Sequence, residues 1–484
     1  MLWVVLGWLE ATNFIRSHSI FRHWKMFPEI STLSGGVEKG LRSQVWHGNS
    51  WVETFARRQT AFWGYASAGW DERWCGGGMN WDPKQLLYKN AITNELWIAA
   101  SAKLFLDYPI RDTSGGNEKF HGRNRTFLHA AVKGYEWMMN SNMTNDKGLF
   151  VDGYHVSKLE EGGTVCDERN EAVYTYNQGV ILTGQRALWD ATGMLRFLTD
   201  GHRLIQNTIK ATGWDLRQNK ALTDMSEHGK LPRWHGIGRG GIMEERCDVG
   251  GYCSQNSQTF KGIYFHHLAY FCRPLVETLR DVDQGSWIGV KRAHAKACTR
   301  YLKWVEHNVE AALMTRDSHG VFGQWWGAEK FYGPEDSGFG LEPQQDVPGA
   351  VDYRNDGIPS DPIWTNGSEP YILPGTNLNV PEQQPVTDEP SPHGSRSTLF
   401  RSRAGSSQRR LGGDVRADRK DANKRGRGRT VETQSTGMSL LRCWWELTQA
   451  YSLPGTVEKN SHDWVFGGLY WLFTKLWFFF AFMH

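Results

Sequence analysis

The chain has 484 residues, with 55 basic and 52 acidic side chains and a mean hydropathy of −0.55. That hydropathy excludes a polytopic membrane protein, and the 39% hydrophobic content excludes a wholly disordered one. The near-neutral balance points to no polyanion as partner, and the length gives room for one large domain or two to three ordinary ones. Twenty-four tryptophans are the unusual count. Indole faces stack on sugar rings and also fill cores, so the count alone admits both uses.

In chain order, apolar residues recur at three- and four-residue spacing over 2–18, 51–70, 91–108, 127–140, 173–191, 198–211, 259–279, 287–313 and 431–451, which predicts helices. The first of these has an early Glu10 and neither a basic leader nor a small-residue cleavage site, so it reads as an amphipathic helix rather than a signal peptide. Connections carry Gly, Asn, Asp and Pro; Ala-Thr-Gly at 191–193 and again at 211–213 predicts glycine caps in the left-handed conformation. Strand-like alternation is scarce, and no repeat of about 34 to 45 residues holds. The pattern predicts an all-α fold, a barrel of helical hairpins rather than a solenoid.

Seven cysteines are few for a disulfide scaffold of this size; Cys247 and Cys253 bracket a glycine-rich turn that a bridge could close, and the odd total leaves a thiol over. No Cys/His spacing suits zinc, and His266-His267 point to different helix faces, so no metal and no cofactor are expected. Sequons begin at Asn124, Asn142 and Asn366. From Arg396 to Arg429 twelve basic residues face three aspartates, and a Pro-rich run at 380–392 precedes them. No aromatic interleaves the basic residues from Arg401 onward, so a solvated loop is expected there, not a nucleic-acid arm. The last twenty residues, 465–484, are apolar with one lysine, Lys475, near their middle; they are long enough to cross a bilayer, and a membrane anchor or an aberrant tail fits them equally.

Six blocks then carry a resemblance: GWDERWCGGGMNW (69–81), YKNAITNELWIAAS (88–101), CDERNEAVYTYNQGVILTG (166–184), GRGGIMEERCD (238–248), QTFKGIYFHHL (258–268) and GRGRTVETQSTGMSLLR (426–442). Together and in this order they resemble glycoside hydrolase family 76, in its fungal cell-wall branch of endo-α-1,6-mannanases and related GPI-anchored proteins. The resemblance covers most of 1–340 and 426–452. It implies an (α/α)6 barrel with a glycan cleft at one end. The organisation that follows is a main barrel over 1–345, an irregular insertion over 346–425, a last barrel helix over 426–455 and the apolar tail at 465–484.

The resemblance implies retaining hydrolysis of α-1,6-mannan through two adjacent aspartates, with a mannan-binding protein without activity, or a transglycosylase attaching GPI-anchored mannoproteins to wall glucan, as alternatives; retention needs two carboxyl groups about 5–5.5 Å apart. No two aspartates are adjacent in this sequence. In the family the pair opens the inner helix that corresponds here to the run from Leu2, so the resemblance implies that the pair falls just ahead of Met1, in a shortened gene reading; a degenerate relative is the alternative. Asp71, Glu72, Glu95, Asp167, Glu168, Glu171, Glu244 and Glu245 lie in the blocks, with Glu95 and Asp167 best suited to a polar cleft. Spacing singles out no acid/base couple among them, and no catalytic residue is assigned.

Substrate contact is expected from Gly76, Gly77 and Gly78, whose bare backbone lets a sugar approach, and from Trp81, which could stack on a pyranose. Lys89, Asn90 and Asn94 offer donors and acceptors at a helix start, Tyr176, Asn177 and Gln178 line a first turn, and Lys261 serves a later inner helix. Core packing, caps and tight turns account for the same residues as an alternative. The implied partner is α-1,6-mannan or the mannose chain of a GPI glycan, held by a monomer whose full-length parent works at the cell surface or wall. The opening helix is expected on the inner ring, its first turn near the Tyr176–Gln178 cluster.

Overall fold

The computed structural model describes residues 1–25, 50–82, 87–107, 110–112, 119–121, 124–159, 161–222, 231–276, 284–331, 348–355, 421–424 and 427–451. The Pro-rich run, most of the basic stretch, the sequon at Asn366 and the apolar tail lie outside the described residues. Among the described residues no helix is long and apolar enough to cross a membrane.

Helices alternate with short connections. In order they are α1 (Leu2–Lys25), α2 (Ser50–Ser67), α3 (Ala91–Asp107), α4 (Arg125–Asn140), α5 (Val180–Thr192), α6 (Leu195–Ala211), α7 (Phe260–Phe271), α8 (Gln284–Met314), the single turn α9 (Ala328–Phe331) and α10 (Val431–Tyr451). Composition assigns them to two layers. Helix α3 buries residues all round, from Ala91 through Phe105, and so lies enclosed. Helix α4 buries only the stripe Phe127, Ala131, Gly134, Tyr135 and Met138, and α6 buries a similar stripe, so each covers a neighbour with one face and shows the other to water. Accordingly α1, α3, α5, α7 and α10 pack in sequence as an inner ring, and α2, α4, α6 and α8 back them. This is the all-α barrel of helical hairpins, of the (α/α)6 type, that the sequence implies.

The inner helices approach closely. A Cβ on Gly179 would lie 2.6 Å from the Tyr264 Cα, and one on Gly262 would lie 2.7 Å from the Thr436 Cα. Glycine is what lets α5 meet α7, and α7 meet α10. Polar ties at the far ends show that these helices run the same way: Arg186 on α5 donates to the carbonyls of Phe271 and Pro274, and the Tyr451 hydroxyl on α10 donates to the Cys272 carbonyl at the end of α7. Helix α1 takes its place in the ring, Leu2, Val5, Leu6 and Leu9 packing in one cluster with Met79, Tyr174, Tyr176 and Val180. The glycines at the two Ala-Thr-Gly stops take positive φ, +71° at Gly193 and +81° at Gly213.

Strands are two or three residues long. β1 (Tyr88–Asn90), β4 (Gly153–His155) and β5 (Glu168–Asn170) form an antiparallel sheet in the order β1-β4-β5, over the N-terminal ends of α3 and α5. Three hairpins lie elsewhere: β2 (Ile110–Asp112) with β3 (Lys119–His121), β6 (Trp214–Asp215) with β7 (Lys220–Ala221), and β8 (Gly238–Arg239) with β9 (Ile242–Met243).

Two features correct the sequence reading. Six of the seven cysteines are paired: Cys247–Cys253 as expected, and also Cys75–Cys166 and Cys272–Cys298, with Cys443 free and buried. Cys75–Cys166 joins two connections 91 residues apart, and Cys272–Cys298 ties the end of α7 to α8 across 26 residues. Residues 348–355, placed by sequence in the irregular insertion, dock on the sheet: Asn170 accepts from the Val351 N–H and donates to its carbonyl, and the Glu171 N–H donates to Gly349.

Candidate active site

The N-terminal ends of α3 and α5 lie under the sheet, and buried polar side chains gather there. The centre is Asp152, which ends the apolar run 149–151. Its carbonyl accepts the Ala91 N–H at the start of α3, and its carboxylate is fully enclosed. The Tyr88 hydroxyl donates to it at 2.6 Å, Asn177 Nδ2 at 3.4 Å, and the Arg354 guanidinium stands 3.6 Å away. Asn170 on β5 holds the Tyr88 oxygen from the other side at 3.2 Å, and the Tyr88 ring stacks on His155 at 4.3 Å. Burial first, and then the Asp152 charge, push the Tyr88 hydroxyl well above its ordinary range, so it remains a donor.

Aromatic walls surround this centre. Trp81 is half-buried, edge-on to Tyr88, with the Arg354 guanidinium 5.0 Å over its ring. Tyr176 stacks on Phe260 at 4.1 Å, and the Tyr174 hydroxyl donates to Asp352 at 2.7 Å. Glu95 points from α3 into the same region with neither oxygen hydrogen-bonded in ordinary geometry. Complete burial pushes its carboxyl well above the usual range, opposed by the Ile181 amide and reinforced by the Asp152 charge.

Asn90 Nδ2, Asn177 Oδ1 and Arg354 Nε are buried without a hydrogen-bond partner inside the protein, while the Glu95 oxygens and Arg354 Nη2 make no hydrogen bond of ordinary geometry, Nη2 keeping its ion pair with Asp152. Buried polar groups are ordinarily paired. Donors and acceptors unsatisfied within the protein thus gather on four separate segments at one face, and their mixed character matches the hydroxyl chemistry of a sugar.

The structure divides the expected contact residues in two. Trp81, Asn90, Tyr176 and Asn177 belong to the bowl. The others are committed to holding it. Lys89 is buried and donates to the carbonyls of Gly78 at 2.6 Å and Asp71 at 3.1 Å; burial pulls its ammonium down to about 8. Asn94 brackets Met79, accepting from its N–H at 2.7 Å and donating to its carbonyl at 3.2 Å. Gln178 does the same for Phe150, at 2.8 and 2.9 Å. Lys261 pairs with Asp248 at 2.5 Å, both side chains fully enclosed, and donates to the Gln324 carbonyl at 2.9 Å.

The glycine turn is also turned inward. Gly76, Gly77 and Gly78 all have positive φ, and the room above Gly77 and Gly78 is filled by Trp137, whose Nε1 donates to the Cys75 carbonyl at 2.9 Å. A protein ring stands where a sugar was expected. Asp167, the other favoured carboxylate, is exposed and braces a loop, accepting from the Ser157 N–H at 2.9 Å and hydroxyl at 2.6 Å. Glu245 takes the N–H of Thr175 at 2.9 Å as well as its hydroxyl, and burial pushes it up to about 8.

Sequence reasoning missed Asp152, Asn170 and Arg354. Asp152 carried a signal, a lone acid at the end of an apolar run, which cannot be buried without partners. Arg354 carried none. His267 is tied to the Thr183 hydroxyl at 2.7 Å. Among the described residues, donor atoms that could share a metal meet at His202, His294 and Cys298 and at Cys247, Asp248 and Cys253, and every sulfur in both groups is in a disulfide.

The family model described as glycosyl hydrolase family 76 matches residues 47–330. Among curated proteins the chain is 23% identical over 235 residues to the mannan endo-1,6-alpha-mannosidase DCW1 of Saccharomyces cerevisiae, covering 48% of this chain and 42% of that protein. It is 24% identical over 243 residues to the mannan endo-1,6-alpha-mannosidase DFG5 of the same yeast, covering 47% and 42%. The chain thus spans less than half the length of these relatives. Among solved structures it is similar to the GH76A alpha-1,6-mannanase of Salegentibacter sp. HEL1_6, at 16% identity and a TM-score of 0.39 over 67% of this chain and 82% of that one. It is also similar to Dfg5 of Chaetomium thermophilum in complex with glucosamine, at 19% identity and a TM-score of 0.37 over 57% and 53%. With the family model matching 284 of 484 residues, the chain belongs to glycosyl hydrolase family 76.

Proposed function

We propose that the bowl recognises α-1,6-linked mannan, or the mannose chain of a GPI glycan, and that the 484-residue chain does so without cleaving it. The observation that carries the reading is the set of unpartnered buried donors and acceptors around Asp152, walled by Trp81, Tyr88 and Tyr176. Sugars offer both hydroxyl edges and apolar faces, and this site offers the complement of each. The relatives named as mannan endo-1,6-alpha-mannosidases supply the glycan class.

Chemistry divides the reading. Retaining hydrolysis needs one ionised carboxylate at the anomeric carbon and one protonated carboxyl at the leaving oxygen. No adjacent aspartates occur in the sequence. In the bowl Asp152 is engaged by Tyr88 and Asn177, and Glu95 is sealed. Neither is placed as a nucleophile. Three disulfides favour an oxidising location, in keeping with the cell surface or wall.

Calorimetric titration of the purified chain with α-1,6-mannotriose, alongside an assay for reducing ends released from α-1,6-mannan, tests both halves. Binding without release is the expected result. Absence of binding removes the mannan reading, and release of reducing ends restores a hydrolase. A longer transcript that carries two aspartates ahead of Leu2 and cleaves the polymer would do the same for the parent protein.

A further inference from the structure

The strap of residues 348–355 lies beyond the matched family segment, yet it places one side chain at the centre of the bowl. Its seating does not depend on that side chain. Asn170 binds both polar atoms of the Val351 backbone, at 2.9 and 3.0 Å, and the Tyr174 hydroxyl holds Asp352 at 2.7 Å. Ser254 accepts nothing from the guanidinium; its hydroxyl donates to the Arg354 carbonyl at 2.7 Å and its N–H to Asn355 Oδ1 at 3.0 Å. The strap is a built part of the wall.

The Arg354 side chain, by contrast, is 14% exposed and has open donors at its enclosed end. Nε and Nη2, which share one edge of the guanidinium plane, have no acceptor. Nη2 stands 3.6 Å from Asp152 Oδ1, near enough for charge to act and too far for a good hydrogen bond. Burial works against its charge, and Tyr176 and Asp152 more than offset this, so the guanidinium remains protonated. Its plane lies over Trp81, and Asn177 Oδ1 is a second open acceptor beside Asp152.

A planar two-donor edge next to acceptor oxygens complements a pair of adjacent hydroxyls, because each hydroxyl accepts from the guanidinium and donates its own proton onward. We propose that Arg354 is a specificity-determining residue of the bowl, gripping with Asp152 the vicinal hydroxyls at C2 and C3 of a mannosyl unit that lies against Trp81. This rests on the mannan reading above and assigns the atoms that would carry it.

The test is calorimetric titration of α-1,6-mannotriose into the wild-type protein and into Arg354→Ala and Arg354→Lys variants, each checked by thermal melting and by amide exchange over 349–355. Arg354→Ala is expected to bind at least about tenfold more weakly with the strap still protected. Arg354→Lys is expected not to restore binding, since an ammonium lacks the planar fork, and added guanidinium chloride is expected to restore part of the affinity to Arg354→Ala. Arg354→Met, which keeps the stem, repeats the comparison if the alanine variant melts early. An Arg354→Ala protein that binds mannotriose as well as or better than wild type overturns the inference and makes the strap a plug. An Arg354→Lys protein equal to wild type overturns the fork. Wild-type protein that does not bind overturns the mannan reading and this inference with it.

Discussion

Gly78 has a φ of +86°, and a Cβ built there would lie 2.5 Å from Cζ2 of Trp137. Two independent reasons, backbone handedness and ring contact, exclude any side chain. Gly78→Ala is expected to cost about 2–4 kcal/mol of stability, read as a lower urea midpoint. An unchanged midpoint would show that the turn is free to move off the ring. The residue identities of this region were legible in the sequence, and their direction was not. Three glycines between tryptophans fit a sugar platform and a buried turn equally; only the position of Trp137, sixty residues away on α4, decides between them. Lys89 and Asn94 stayed open between sugar contact and a structural role for the same reason, since the carbonyls they hold belong to a turn whose path the sequence does not show.

At the level of the element, the turn Tyr176–Gln178 is where a helix prediction and a functional one overlap. Apolar spacing predicted a helix from 173, and the α-helix begins at Val180. The preceding residues are drawn out of it because Gln178 is tied to Phe150 on another segment. Gln178→Ala removes three buried hydrogen bonds, to the N–H and carbonyl of Phe150 and to the Tyr174 carbonyl. A loss of about 2–4 kcal/mol is expected, since the backbone groups left behind remain enclosed. Equilibrium denaturation measures it, and a loss well under 1 kcal/mol would mean that water takes over those bonds. The long helices were readable because 3.6-residue periodicity persists over three or more turns. Strands of two or three residues are too short to show alternation, and spacing alone does not pair cysteines 91 or 26 residues apart, so neither could be read beforehand.

For the whole molecule, buried acids and buried histidines set opposite slopes of stability against pH. Burial raises Glu244 to about 7 and Glu245 to about 8. A carboxyl raised on folding binds its proton more tightly in the native state, so its contribution is complete below the unfolded range, about pH 4.5, and declines as pH rises through 7 and 8. His202 and His266 are lowered by burial to about 4 and about 3. Their contribution is complete above about pH 6.5 and is lost as pH falls through those values. The urea midpoint is therefore expected to peak near about pH 6, and Glu245→Gln to flatten the alkaline decline. A wild-type midpoint that is level from pH 6 to 9 would contradict the burial of these acids.

The common direction of the inner ring has an effect that no single side chain supplies. Each helix carries a fraction of a positive charge, roughly half a unit, at its N-terminal end, and α3 opens directly at Asp152, whose carbonyl accepts the Ala91 N–H. The mouth of the barrel is thus polarised by peptide bonds themselves. Salt and surface substitutions leave that field largely in place, and any oxygen that gains negative character there meets it already oriented.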